Sequence, residues 1–159
     1  MGFPDDLLEQ ADHLVNKDGA NPSQASLRRA VSTAYYALFH LLIDEAVSHW
    51  NIERHQAILA RTFEHGKMLK LCDDQVKSFY RAKQPPAGIR LMAVAQAFTD
   101  LQQRRHTADY DNSRSWTKSD AESWVNEAKV AFDNWRAIRN SEDAQDFLLA
   151  LFLPKPPRQ

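Results

Sequence analysis

Three features of the sequence predict an all-α chain, an up-and-down helical bundle of four main helices with short flanking helices. Only four of 159 residues are glycine. No run of alternating β-branched residues bounded by turn pairs occurs, which argues against a sandwich or barrel. The apolar residues instead recur at helical spacing between clear breakers. With 43% hydrophobic residues the chain can fill one core, so residues 1–153 are expected to form one domain, followed by a flexible Pro-rich tail at 154–159.

The elements follow in order. A first helix is expected from about Asp5 to Val15, ended by NKDGANPS, in which Gly19 and Pro22 are poor helix residues. A second starts there, with Asn21 or Ser23 as its cap and Pro22 in its first turn. No further breaker occurs before Trp50, giving roughly 28 residues, or ~42 Å at 1.5 Å per residue. A third helix is expected over about Gln56 to Asp73, with Gly66 interrupting it, and Pro85 and Pro86 stop whatever follows. A fourth spans Arg90 to about Tyr110, before the turn-rich stretch DYDNSRSWT. Thr117, three residues before Asp120, caps a fifth running to about Arg139, and Ser141 caps a short last helix, EDAQDFLLALFL.

Charge and cysteine content narrow the function classes. Twenty Lys+Arg against 21 Asp+Glu leave a formal charge of -1, so any contact with nucleic acid must be local rather than a global basic field. The single cysteine, Cys72, excludes an internal disulfide framework and fits a reducing compartment, with the cytoplasm the simplest assignment. Cys72 reads as a small core residue, because no basic neighbour lowers its pKa. The N-terminal stretch MGFPDDLLEQAD is acidic and does not read as a signal peptide, and no apolar run approaches ~18 residues, so no membrane contact is expected. No zinc-type or phosphate-loop spacing is present, and neither a metal nor a cofactor is expected.

Two helices carry something extra. On the fourth, Leu91, Val94, Phe98 and Leu101 form one apolar stripe, and Arg105 falls near its centre with Asp109 one turn on. A charge there is costly unless paired, and Arg105 with Asp109 at i, i+4 is the nearest pair; the alternative is that Arg105 snorkels its head into water. His106 and Tyr110 flank the stripe. The second helix has its core stripe at Leu27, Val31, Ala34, Leu38, Leu41 and Leu42. Its reverse side carries Tyr36, Ile43 and Val47 beside Arg29, Thr33 and His40. Such a helix needs cover on two sides, from another helix or from a second subunit. Tyr35, Tyr36, Phe39 and His40 also fit ordinary core positions with satisfied polar tips. The Trp124, Val125, Ala128 and Phe132 stripe of the fifth helix reads as core, flanked by Trp116 and Trp135.

The stretches LRRAVSTAYYALFHLLIDEA, QQRRHTADYD and DAESWVNEAKVAF together resemble the HEPN family, the higher eukaryotes and prokaryotes nucleotide-binding domains, over about Gln24 to Phe132. That resemblance implies a helical bundle that dimerises, and a function in RNA or nucleotide binding. Many such domains are metal-independent ribonucleases, several of them toxin-antitoxin components paired with a cognate nucleotidyltransferase. Active members carry an arginine, a polar residue, and a histidine separated from the arginine by four to six residues. Arg105 and His106 match the first two, but Tyr110, Asp111 and Asn112 occupy the histidine's places.

Metal-independent RNA cleavage needs a base, an acid and a cation for the developing phosphorane charge. Arg105 is the candidate cation, His106 and His40 offer acid or base groups, and Tyr110 offers a hydrogen bond. The expected catalytic set is therefore Arg105, His106 and Tyr110, and the expected ligand-binding set adds Asp109, Arg29, Tyr36 and His40. A rival reading is a noncatalytic protein-protein interaction module in which Arg105 and Asp109 form a structural ion pair.

Overall fold

A computed structural model describes residues 2–82 and 88–153, and all regular structure among them is helical. The order is α1 (Phe3–Asn16), α2 (Gln24–Val47), α3 (Glu53–Ala60), α4 (His65–Arg81), α5 (Ile89–Tyr110), α6 (Lys118–Ile138) and α7 (Glu142–Phe152). Pro85, Pro86 and the 154–159 tail lie outside the described residues.

Local chemistry explains most boundaries. Pro4 sits in the first turn of α1, and Asp5 and Asp6 face the positive end of its dipole. Gly19, at φ 61°, takes the left-handed turn after α1. Ser23 rather than Asn21 caps α2, its hydroxyl accepting from the Ser26 amide. Thr117 and Asp120 form the expected reciprocal capping box of α6, and Ser141 caps α7 through the Ala144 amide.

Two expected boundaries are corrected. The long second helix stops at Val47 rather than Trp50, because the Ser48 hydroxyl donates to the Glu45 carbonyl and the Trp50 amide turns back to Val47. The expected Gln56–Asp73 helix is two helices, α3 and α4, and the break is not at Gly66, which lies in the first turn of α4. Thr62 instead closes α3, its amide and hydroxyl both donating to the Leu59 carbonyl. Phe63 then leaves the helical path and packs edge-on against Phe152, which also meets Trp50.

The core is one cluster built around α2, which packs against α1, α5 and α6 and also meets α3 and α7. Leu27, Val31, Ala34, Leu38, Leu41 and Leu42 of α2 are all buried, as are Leu91, Val94, Phe98 and Leu101 of α5. Val125, Ala128 and Phe132 of α6 join them, with Trp116 and Trp135 fully inside the core rather than beside it. The reverse side of α2 is covered by the chain itself. There α1 lies along Thr33, Tyr36 and His40, and Ile43 and Val47 are also buried. Two-sided burial of α2 is thus satisfied without a second subunit.

Two contacts fix the start of α2, one to the end of α5 and the loop after it, the other to Trp116 just ahead of α6. Arg28 donates from Nη1 to the carbonyls of Ala108 and Asp111, each at 2.9 Å, and from Nη2 to that of Arg114 at 2.6 Å. One guanidinium thereby satisfies the Ala108 carbonyl in the last turn of α5, that of the cap residue Asp111, and that of Arg114 in the loop beyond. Gln24 then accepts from the Trp116 amide at 2.8 Å and donates to the Trp116 carbonyl at 2.7 Å. The last two turns of α5, with Arg105 and Asp109, are held in register with α2.

Candidate functional site around Arg105

Arg105 follows Leu101 by one turn on α5, so its stem continues the core stripe and its head arrives over α2. The guanidinium carbon lies 5.3 Å from the Tyr35 ring centroid and 5.8 Å from that of Tyr36. Nη1 is 3.5 Å from Asp109 Oδ2, and the same carboxylate oxygen accepts from the Ser32 hydroxyl at 3.4 Å. The expected i, i+4 pair is formed. The side chain of Arg105 is only 13% exposed, so it does not snorkel out; aromatic faces and one carboxylate replace much of its water. That replacement is incomplete, because the buried Nε has no hydrogen-bond acceptor. A buried donor without a partner costs about 1–3 kcal/mol.

The first residue of α4 completes the cluster. His65 Nδ1 lies 2.6 Å from the Tyr35 hydroxyl, while its ring stacks on Phe39 with centroids 4.1 Å apart and 19° between planes. Tyr36 meets the same ring edge-on at 5.8 Å. Burial lowers the pKa of His65, and the charge of Arg105 and the neighbouring His40 push in the same direction. Burial raises the pKa of the Tyr35 hydroxyl against the opposing pull of Arg105, which keeps the phenol protonated. His40 lies one turn along α2 between Phe39 and Phe3, at 5.3 and 5.0 Å, and burial lowers its pKa too. At neutral pH the two imidazoles of the cluster are therefore uncharged.

The sequence-predicted residues divide between two faces. Arg105, Asp109, Tyr36 and His40 belong to this cluster. Arg29 lies nearer the start of α2, on the wall of a groove of about 400 Å³ between α1 and α2, which Tyr36 and His40 also line. His106 and Tyr110 are elsewhere. They pack against each other at 5.0 Å on an exposed face of α5, and His106 borders a separate groove shared with Leu69 of α4. The cause is the 100° step per residue, which turns the side chain after Arg105 away from the tyrosines.

Sequence reasoning missed Tyr35 and His65 as parts of the site. The Tyr35-Tyr36 pair was visible, but its coupling to Arg105 depends on how α2 and α5 cross. His65 carried no local signal, since it reaches the cluster only because the chain breaks between α3 and α4. Cys72 is fully buried and burial raises its thiol pKa, which leaves it an inert core residue. Among the described residues no three His, Cys, Asp or Glu side chains group to hold a metal ion, and no helix is long and apolar enough to cross a membrane. Compared with known proteins, the chain matches no family model, no curated protein and no solved structure.

Proposed function

We propose that the chain is a HEPN-like helical domain that binds RNA or a nucleotide, with Arg105 receiving a phosphate. The observation that carries this reading is the guanidinium itself, largely withdrawn from water and walled by Tyr35 and Tyr36. A planar cation in a low-dielectric, aromatic setting suits a phosphoryl oxygen, which accepts charge-assisted hydrogen bonds. Tyr36 is half-buried rather than buried, and it borders the groove between α1 and α2, which offers a base an aromatic face to stack on. A second copy of the chain and a cognate nucleotidyltransferase belong to the same reading, as one half of a toxin-antitoxin pair in the cytoplasm. The dimer predicts about twice the monomer mass by light scattering, and a monomeric mass at micromolar concentration contradicts it.

One observation favours the protein-protein interaction module instead: Arg105 already has Asp109 and two aromatic rings as internal partners. Anisotropy of a fluorescent single-stranded oligoribonucleotide separates the readings. RNA binding predicts saturable binding at low salt that weakens steeply as salt rises and is lost in Arg105→Ala with the fold retained. No binding by the wild type, together with a lower Tm for Arg105→Ala, favours the interaction module. Cutting of the same RNA in EDTA would extend the proposal to a metal-independent endoribonuclease.

A further inference from the structure

The helix that carries Arg105 supplies no imidazole to the tyrosine-walled face, yet His65 bonds to one of those tyrosines. His65 comes from α4 and is held on three sides, by the Tyr35 hydroxyl at Nδ1, by the stacked Phe39 ring, and by the edge-on Tyr36 ring. Tyr35 touches both groups, since its ring lies under the Arg105 guanidinium and its hydroxyl meets His65. A core histidine with no further task needs one polar partner; this one has its partner and is still only partly buried. The Tyr35 phenol stays protonated and can donate across the 2.6 Å contact to an Nδ1 that carries no proton. A neutral imidazole that accepts at Nδ1 carries its proton at Nε2. In that tautomer the ring carries an uncharged N–H and hangs on the same tyrosine whose ring supports the Arg105 guanidinium.

Resting on the reading of Arg105 as a phosphate site, we infer that His65 is a ligand-binding residue of that site, with Nε2–H donating to a phosphoryl oxygen of the nucleic acid held by Arg105. Tyr35 is the positioning residue that fixes its tautomer. The groups that face the His65 ring are Tyr35, Tyr36 and His40 of α2 and Arg105 of α5, whose charge is partly balanced by Asp109. A bound phosphate adds negative charge to this set and favours the imidazolium, so binding raises the pKa of His65; the added proton goes to Nδ1, where the Tyr35 hydroxyl then turns from donor to acceptor.

The test follows the His65 ring nitrogens by NMR in the full chain while a short oligouridylate is added, beside anisotropy for the wild type, Arg105→Ala, His65→Phe and Tyr35→Phe. His65→Phe preserves an aromatic ring for the stack on Phe39. Tyr35→Phe preserves the ring beneath Arg105 and removes only the hydroxyl. The expected results are an Nε2–H tautomer in the free protein, an upward shift of the His65 pKa on binding, about tenfold weaker binding by His65→Phe, and an altered tautomer balance in Tyr35→Phe. Wild-type binding that depends on Arg105 but leaves the His65 nitrogens unmoved, with His65→Phe binding as tightly, overturns the assignment while sparing the Arg105 site. Absence of any wild-type binding removes both. Should His65→Phe fail to fold, the wild-type nitrogen shifts and the Tyr35→Phe tautomer decide.

Discussion

At the scale of single residues, His65 and His40 make stability depend on pH. Burial lowers both pKa values in the folded chain, whereas in the unfolded chain each returns to the ordinary value near 6.5. The unfolded state therefore binds more protons below that value, so stability is full above it and is lost as pH falls toward the folded pKa values. Thermal melts between about pH 7.5 and about pH 5.5 should show Tm dropping by a few degrees, and replacing both histidines with phenylalanine should flatten that slope. An unchanged slope would mean that neither ring is desolvated as described. The Arg105-Asp109 pair was legible in the sequence because i, i+4 neighbours share a helix face whatever surrounds them. The aromatic bed under Arg105 was not, since it depends on which turn of α2 lies opposite.

At the scale of elements, the clearest device is Arg28, which ties α2 to the end of α5 and the loop after it through three carbonyls. Arg28→Ala should cost about 2–3 kcal/mol, since those bonds are made by a charged, partly buried donor. Hydrogen exchange should locate the damage in the last turn of α5 and at 111–114, and uniform loss of protection across α2 would contradict this local role. Helix starts marked by Ser or Thr caps and followed by helical periodicity were readable, as with Ser23, Thr117 and Ser141. The gap between α3 and α4 was not, because a Thr that bonds back to a carbonyl looks like any helical Thr until Phe63 finds Phe152. Gly66 drew attention to the right neighbourhood but lies inside α4.

At the scale of the whole molecule, α2 is the axis on which the account turns. Its inner residues hold the core, α1 covers its reverse side, and between these faces it offers Tyr35 and Tyr36 to Arg105 and His65. The all-helical class was legible from composition and spacing alone. The site's location was half legible: Arg105, Asp109, Tyr36 and His40 meet there, while His106 and Tyr110 turn to another face of α5.

The most direct test of the central claim is an amide and arginine Nε–H NMR titration of the full chain with a single-stranded oligoribonucleotide. Shifts concentrated at Tyr35, Tyr36, His65 and Arg105 are expected, with the Arg105 Nε–H signal moving as that donor's surroundings change. Shifts confined to His106 and Tyr110, or an Arg105 Nε–H signal that stays fixed while RNA binds, would contradict it.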